Sequence, residues 1–184
     1  MNEYVKTKAA AMKGVNELSL KGEIVIFSST YMANFPFYDL INKCSFEHAV
    51  YNRSIEGLTI PDAFEIAQDC VIPLQPSKLF LSLGEEDKEN PQAAQQYEKL
   101  VRMLRTNLPK TQLYLICLNG LDEQTEAFNA HLVSLCDKKQ IHSIHFSTLQ
   151  TSDAAQLKAR FKQLSCFFRN RPLRMTDAFA VTDV

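Results

Sequence analysis

The chain has 184 residues, of which 46% are hydrophobic and 22% charged, and its formal net charge is −1 at pH 7. These values are typical of one water-soluble domain, here residues 1–184, with a sizeable buried core. The near-zero charge argues against a nucleic-acid binder that neutralises phosphates, and no apolar run is long enough to span a membrane. The five cysteines contain no Cys-x-x-Cys pair, which favours reduced thiols over a disulfide framework or a zinc site. We therefore expect a cytoplasmic protein without a signal peptide.

Short apolar segments alternate with amphipathic segments along the whole chain. We predict strands at 24–27, 49–53, 79–83, 113–118 and 141–146. Helices are predicted at 4–14, 32–44, 62–72, 91–108, 123–136 and 153–168, with residues 1–20 as an N-terminal helix or arm and 170–184 as an irregular tail. This alternation predicts a three-layer α/β/α sandwich around a parallel sheet with right-handed crossovers.

The first predicted strand ends in three hydroxyl residues, Ser28, Ser29 and Thr30. In open α/β sheets, ligands bind beyond the carboxyl ends of the strands. The loops that follow the first three strands, at 28–30, 54–59 and 84–87, project from this same edge and can meet there. We expect any functional site at this edge.

Several segments, taken in order, resemble sequence blocks of the GDSL (SGNH) hydrolases, especially their small bacterial lipase- and esterase-like members. These segments are 24–32 (IVIFSSTYM), 34–36 (NFP), 51–59 (YNRSIEGLT), 74–87 (LQPSKLFLSLGEED) and 108–115 (LPKTQLYL). The resemblance implies a flavodoxin-like sheet of five parallel strands in the order 2-1-3-4-5, with strand 24–27 in its interior. It also implies acyl-ester hydrolysis by a serine nucleophile, with an oxyanion hole and a C-terminal Asp-x-x-His.

The site that the resemblance implies is altered in this sequence. The nucleophile position holds Thr30, with Ser29 beside it as a second candidate. The oxyanion glycine corresponds to Gly57, and the third block begins at Gly84 but has Glu86 where the family has asparagine. No histidine follows His145, so the Asp-x-x-His block has no counterpart.

Each departure weakens the implied chemistry. The extra methyl group of a threonine restricts its side-chain rotamers and crowds the path of attack. An ionised glutamate removes an oxyanion donor, and losing one such donor typically costs ~10²–10³ in rate. The sequence therefore predicts a degenerate acylhydrolase, a pseudoenzyme with a binding, regulatory or assembly role. The alternative is an active esterase whose site is altered or completed by a partner, with His145 or a histidine of another chain as the base.

Simpler interpretations of the same residues stay open. Ser28, Ser29 and Thr30 could cap the following helix. The acidic run 85–89 could be a solvated turn that complements the next helix rather than a metal site, and we predict neither a metal nor a cofactor. Arg53 could bind an anion or pack over the sheet edge. A small-molecule ligand, a homo-oligomer or a protein partner is compatible with a pocket framed by Ser28, Gly57, Gly84 and Glu86, whose acidic rim would favour neutral or cationic groups.

Overall fold

The computed structural model describes residues 1–41, 49–137, 139–146 and 153–169 of the chain. Five strands form one sheet in which every neighbouring pair is parallel. They are β1 (Ile24–Ser28), β2 (Val50–Asn52), β3 (Lys78–Ser82), β4 (Gln112–Ile116) and β5 (Ile141–Ile144). The order β2-β1-β3-β4-β5 places β1 between β2 and β3, so the predicted fold class and strand order are confirmed.

Seven α-helices are present in the described ranges. They are α1 (Glu3–Val15), α2 (Thr30–Ala33), α3 (Phe37–Ile41), α4 (Ile60–Cys70), α5 (Ala93–Asn107), α6 (Glu123–Ser134) and α7 (Asp153–Cys166). Three of them begin at a side-chain cap: Asn2, Thr59 and Asp122 each accept a hydrogen bond from a first-turn N–H. These caps satisfy donors that the helix itself leaves free. None of the helices in these ranges combines the length and apolar character needed to cross a membrane.

The two faces of the sheet are covered by different helices. All five residues of β1 and of β3 are buried, as a strand covered on both faces requires. Val25 and Phe27 point into a core shared with α1, α4, α5 and α6, whereas Ile24 and Ile26 point into a core shared with α2, α3 and α7. The apolar run that predicted β1 therefore serves both cores through the two-residue periodicity of a strand.

The N-terminal segment is a helix that joins the core rather than a solvated arm. Val5 of α1 is fully buried in the same core as α4. Arg53, at the end of β2, donates hydrogen bonds of 3.1 Å each to Asn16 Oδ1 and Ser19 Oγ just after this helix. Its guanidinium also lies 5.3 Å from the centre of the Tyr51 ring. Arg53 thus packs over the edge strand, the second of its two predicted roles.

The predicted helix at 32–44 is wrong as one continuous element. The chain forms α2, breaks at Phe35 and Pro36, and begins again as α3. A proline disfavours helical backbone in the residue before it, which explains the break. Residues 42–44 and the predicted tail 170–184 lie outside the described residues. The other predicted elements are present, with ends displaced by at most two residues.

Candidate functional site

The loops after β1, β2 and β3 meet at the carboxyl edge of the sheet, as the sequence predicted. Ser29 donates its backbone N–H to the carbonyl of Ser82 at the end of β3, at 3.1 Å. On the other side, Ile55 donates its N–H to the carbonyl of Ser28, at 3.0 Å. The parallel pairing of the strands therefore continues into the loops and holds their polar side chains at one place.

The Thr30 hydroxyl connects these three loops. Thr30 is the first residue of α2, and its Oγ1 accepts a hydrogen bond of 2.9 Å from the Gly57 N–H. The same hydroxyl donates to Glu86 Oε1 at 2.5 Å. Gly57 has a φ of 73°, a conformation that glycine adopts without strain and that points its N–H at Thr30. The structure thus brings Thr30, Gly57 and Glu86 together, as the resemblance implied for the residues at these positions.

The acidic run that follows β3 caps helices on both sides of the site. Glu85 Oε1 accepts the N–H of Tyr31 in α2 at 2.8 Å, and Asp87 Oδ2 accepts the N–H of Ile60 in α4 at 3.0 Å. Asp87 is only 5% exposed. The predicted solvated turn complementing the next helix is therefore wrong for these two carboxylates, because they serve helices on neighbouring loops. Only Glu86 of the three is exposed.

Burial changes the acidity of the two capping carboxylates. Desolvation raises the pKa of Glu85, although the Tyr31 N–H opposes the rise, and the neighbouring Glu86 charge adds to it. Desolvation likewise raises the pKa of Asp87 against the effect of the Ile60 N–H. Loss of hydration outweighs the hydrogen bond in both cases. Among the residues that the structure describes, no three His, Cys, Asp or Glu side chains form a group able to hold a metal ion.

Ser28 and Ser29 do not cap α2 with their side chains. The Ser28 hydroxyl donates to the Ser82 carbonyl at 2.6 Å, which fastens β1 to β3. Ser29 has the backbone conformation of an N-cap, but its hydroxyl is buried without a hydrogen bond and makes no cap contact. That hydroxyl lies close enough to the Glu85 carboxylate to oppose the rise of its pKa, yet outside hydrogen-bonding geometry. The capping prediction is therefore wrong for Ser28 and Ser29, and the Glu85 carboxylate caps α2 instead.

The histidines in the described segments have partners elsewhere. His131 Nε2 lies 3.7 Å from Glu98 Oε2, and His142 Nε2 lies 2.9 Å from Gln112 Oε1. His145, the predicted substitute base, has its Nε2 3.5 Å from Cys117 Sγ at the ends of β4 and β5. Within the same segments, none of them forms a hydrogen bond to Thr30 or Ser29. His48 lies outside the described residues.

One contact to the site was not predicted from the sequence. Arg160 of α7 donates a hydrogen bond of 2.7 Å to the Tyr31 hydroxyl, and its guanidinium lies 5.3 Å from the centre of the Tyr31 ring. This contact fastens α2, and with it Thr30, to a helix 129 positions further along the chain. No local motif at Arg160 could indicate it, because the pairing depends on how α7 crosses the sheet.

A cavity of about 280 Å³ opens at the same edge, displaced toward β4. Two of its lining residues, Gly84 and Asp87, belong to the third loop, whereas Thr30, Gly57 and Glu86 do not line it. Gly84 has a φ of 112°, and a Cβ there would lie 2.7 Å from Cζ of Phe128, which also lines the cavity. Gly84 therefore contributes close packing against α6 rather than a contact to Thr30. The remaining lining residues are Lys88, Asn90, Pro91, Ala93, Ala94, Leu118, Gln124, Thr125 and Ala127.

The likeness to known proteins is one of structure. No protein-family model matches the chain, and no curated protein matches it in sequence. A structure from Streptococcus pneumoniae described as a platelet activating factor has a TM-score of 0.77 at 17% identity, covering 90% of this chain and 93% of that chain. A GDSL-like lipase from Bacteroides thetaiotaomicron has a TM-score of 0.64 at 12% identity, covering 78% and 79% of the two chains. A structure from Bacteroides fragilis described as an acylhydrolase has a TM-score of 0.63 at 13% identity, covering 89% and 93% of the two chains. At identities this low the likeness is one of fold, and the chain has the fold of the GDSL-like lipases and acylhydrolases.

Proposed function

We propose that this protein descends from GDSL (SGNH) hydrolases but does not hydrolyse esters, and acts as a binding, regulatory or assembly component. The observation that carries the proposal is the double hydrogen bond of Thr30. Its hydroxyl oxygen accepts from the Gly57 N–H, and its proton is directed at Glu86. The three groups that the family resemblance assigns to nucleophile and oxyanion hole are thus bonded to one another.

This arrangement opposes acyl transfer for an electrostatic reason. An oxyanion hole works through donors aimed at the place where negative charge develops. Here the Gly57 N–H is directed at the Thr30 hydroxyl, and Glu86 places a carboxylate where the family has an amide donor. A developing oxyanion would meet one engaged donor and one negative charge. Losing a single donor typically costs ~10²–10³ in rate, and repulsion adds to that loss.

The second support is the absence of a histidine base near Thr30 in the described segments. A neutral hydroxyl needs an adjacent group to take its proton before it attacks. The histidine closest in sequence to the family's base, His145, contacts Cys117 instead. These observations support a protein that keeps the fold and the converging loops of the hydrolases. It lacks the proton transfer that ester hydrolysis requires.

One observation favours a second candidate, an esterase that uses a Thr30–Glu86 pair. A hydroxyl hydrogen-bonded to a carboxylate at 2.5 Å has the geometry of a nucleophile and its general base. Against it stands the charge of the same carboxylate, which would repel the oxyanion that forms beside it. A histidine supplied by a second copy of the chain is a further form of this candidate.

Hydrolysis of p-nitrophenyl acetate separates these candidates. We expect the protein to release p-nitrophenol no faster than an equal concentration of an inert protein. Thr30→Ala, Ser29→Ala and Glu86→Gln should all match the parent, as should Thr106→Ala, which removes an exposed hydroxyl from α5. Saturable hydrolysis that disappears in Thr30→Ala and Glu86→Gln, but persists in Thr106→Ala, would establish the threonine–glutamate esterase. A specific activity that rises with protein concentration would indicate a site completed by a second copy.

Three further expectations concern the domain organisation, the cellular location and the oligomeric state. That residues 1–184 form a single domain is supported by the N-terminal helix, because Val5 lies in the same core as α4 and α5. A cytoplasmic location and self-association stay predictions from the sequence. Sedimentation over a hundredfold range of protein concentration would test self-association directly.

A further inference from the structure

The cavity beside the Thr30 site has an apolar interior and one buried charge. Leu118, Phe128 and Ala94 contribute aliphatic and aromatic surface. The Phe128 ring packs edge-on against the buried Tyr97 ring, with the ring centres 5.7 Å apart, which fixes one wall. At about 280 Å³ the cavity is close to the lower end of the size range of small-molecule sites. The shape fits a ligand with a compact apolar body.

Asp87 is the charged residue buried in this lining. It is 5% exposed, its Oδ2 accepts the Ile60 N–H, and the Asn90 side chain lies close enough to oppose the rise of its pKa. A carboxylate has about four lone-pair sites, so these neutral donors leave acceptor capacity and bring no positive charge to the buried group. A cationic donor inside the cavity would restore the stabilisation that Asp87 loses on burial.

The helix ends around the cavity do not favour an anion. The first turn of α6 is capped by Asp122, which accepts from the N–H and from the hydroxyl of Thr125, at 2.9 and 2.8 Å. The turn before α5 is closed by Asn90, whose Oδ1 accepts the Gln92 N–H at 3.0 Å. These donors are engaged, and Asp122 adds a further negative charge near the rim.

Lys88 is the cationic side chain of the lining, and its charge acts on other carboxylates. It is exposed; its charge opposes the desolvation that raises the pKa of Glu85, and it adds to the Thr125 hydrogen bonds that lower the pKa of Asp122. Three carboxylates lie near this one cationic side chain, those of Glu85, Asp87 and Asp122. An anionic ligand would have to enter against this excess of negative charge.

We propose that the cavity binds a small primary amine with an apolar body, its ammonium group directed at Asp87. The apolar body covers Leu118, Ala94 and Phe128, and the ammonium adds charge-assisted hydrogen bonds to the buried carboxylate. Thr30, Gly57 and Glu86 do not line the cavity, so the site is independent of whether Thr30 reacts. The proposed lack of esterase activity and this binding site can therefore fail separately.

Three probes with the same six-carbon chain test the charge preference. Hexylamine, 1-hexanol and hexanoate are titrated at pH 7 into the ¹⁵N-labelled full chain, and the amide shifts of Gly84, Leu118 and Ala127 are followed. We expect saturable shifts with hexylamine, weaker binding of 1-hexanol, and at least tenfold weaker binding of hexanoate. Equal affinity for all three probes, tighter binding of hexanoate, or no saturable shift with hexylamine would overturn the proposal.

Variants locate the binding in the cavity and assign the role of Asp87. Ala127→Leu and Ala94→Leu fill the cavity from two different helices and should each weaken hexylamine at least tenfold. Ala130→Leu makes the same change on the exposed side of α6, outside the lining, and should leave the affinity unchanged. Asp87→Asn keeps an oxygen for the Ile60 N–H and should remove the preference for hexylamine over 1-hexanol while 1-hexanol still binds. Retained preference in Asp87→Asn would overturn the assigned role, and retained binding in both filling variants would overturn the location.

Discussion

Glu86 accepts a hydrogen bond of 2.5 Å from the hydroxyl of Thr30, across loops that lie 56 positions apart in the sequence. The bond joins the start of α2 to the loop after β3. Because Thr30 also accepts from Gly57, the loop after β2 is held in the same arrangement. The loops after β1, β2 and β3 are therefore joined to one another through the Thr30 hydroxyl.

Replacing Glu86 by asparagine should make this edge receptive to anions. The amide offers N–H donors where the carboxylate repels, and asparagine is the residue that the family resemblance implies at this position. We expect acetate to shift the amide signals of Gly57 and Thr30 in the Glu86→Asn variant and not in the parent protein. Glu89→Asn removes an exposed charge from the same loop and serves as the control. Acetate binding of equal strength in the parent would show that Glu86 does not exclude anions.

The sheet could be predicted from the sequence because the patterns that indicate its strands are local. Residues 24–27 are four large apolar residues in a row, and such a run can bury both of its faces only inside a covered sheet. The alternation of strands and helices then restricts the topology to a few arrangements, of which the family resemblance selected one. Pro36 lies directly before α3, but the break that it forces at Phe35 was not predicted.

The contacts of the site depend on long-range packing and could be predicted only in part. The convergence of Thr30, Gly57 and Glu86 followed from the common edge of parallel strands. The hydrogen-bond partner of each carboxylate could not be predicted, because the three consecutive side chains at 85, 86 and 87 point in three different directions. Asp87 is directed to Ile60 and Glu85 to Tyr31, and no motif distinguishes these two from the exposed Glu86. Ser29 looks like a cap in the sequence, yet its hydroxyl is displaced from that role by Glu85.

Gly84→Ala should destabilise the protein, whereas Gly14→Ala should not. A Cβ at Gly84 would lie 2.7 Å from the Phe128 ring, and the backbone has a φ of 112°, so we expect a loss of about 1–3 kcal/mol in the free energy of unfolding. Gly14 lies in α1, where an added methyl group would meet nothing within 4 Å, and alanine there should add roughly 0.5–1 kcal/mol through helix propensity. Urea denaturation of both variants measures the two effects. A neutral Gly84→Ala would mean that Phe128 moves away at no cost.

Cys117 should be unreactive in the folded protein despite its contact with His145. Burial raises the pKa of this thiol to about 11, and it is 4% exposed. A free cysteine has a pKa of ~8.5, so the smaller thiolate fraction alone should slow alkylation at pH 8 on the order of 10²-fold. Labelling with iodoacetamide in buffer and in urea, followed by peptide mass analysis, measures the ratio. Cys70, whose pKa is also raised to about 11 by burial, is the matched comparison without a histidine contact. Fast labelling of Cys117 but not of Cys70 would show that His145 activates the thiol.

Glu85→Gln should stabilise the protein near neutral pH and lose that advantage in acid. Desolvation raises the pKa of Glu85 in the folded state, so the folded protein holds this proton more tightly than the unfolded chain does. A raised pKa contributes stability that is complete below the unfolded value of ~4.3 and is lost as the pH rises through the folded value. Glutamine resembles the protonated form at every pH and retains an oxygen for the Tyr31 N–H.

The stability difference between Glu85→Gln and the parent should therefore be largest at pH 7 and shrink toward pH 4. Urea denaturation at both pH values gives this difference directly, and Glu89→Gln, on the exposed part of the same loop, controls for the general loss of a negative charge. A Glu85→Gln variant that is less stable than the parent at pH 7 would show that the hydrogen bond from Tyr31 to the ionised carboxylate outweighs its desolvation. The cap that Glu85 provides to α2 would then favour the charged form, and the carboxylate would hold Thr30 in place through attraction to the helix end.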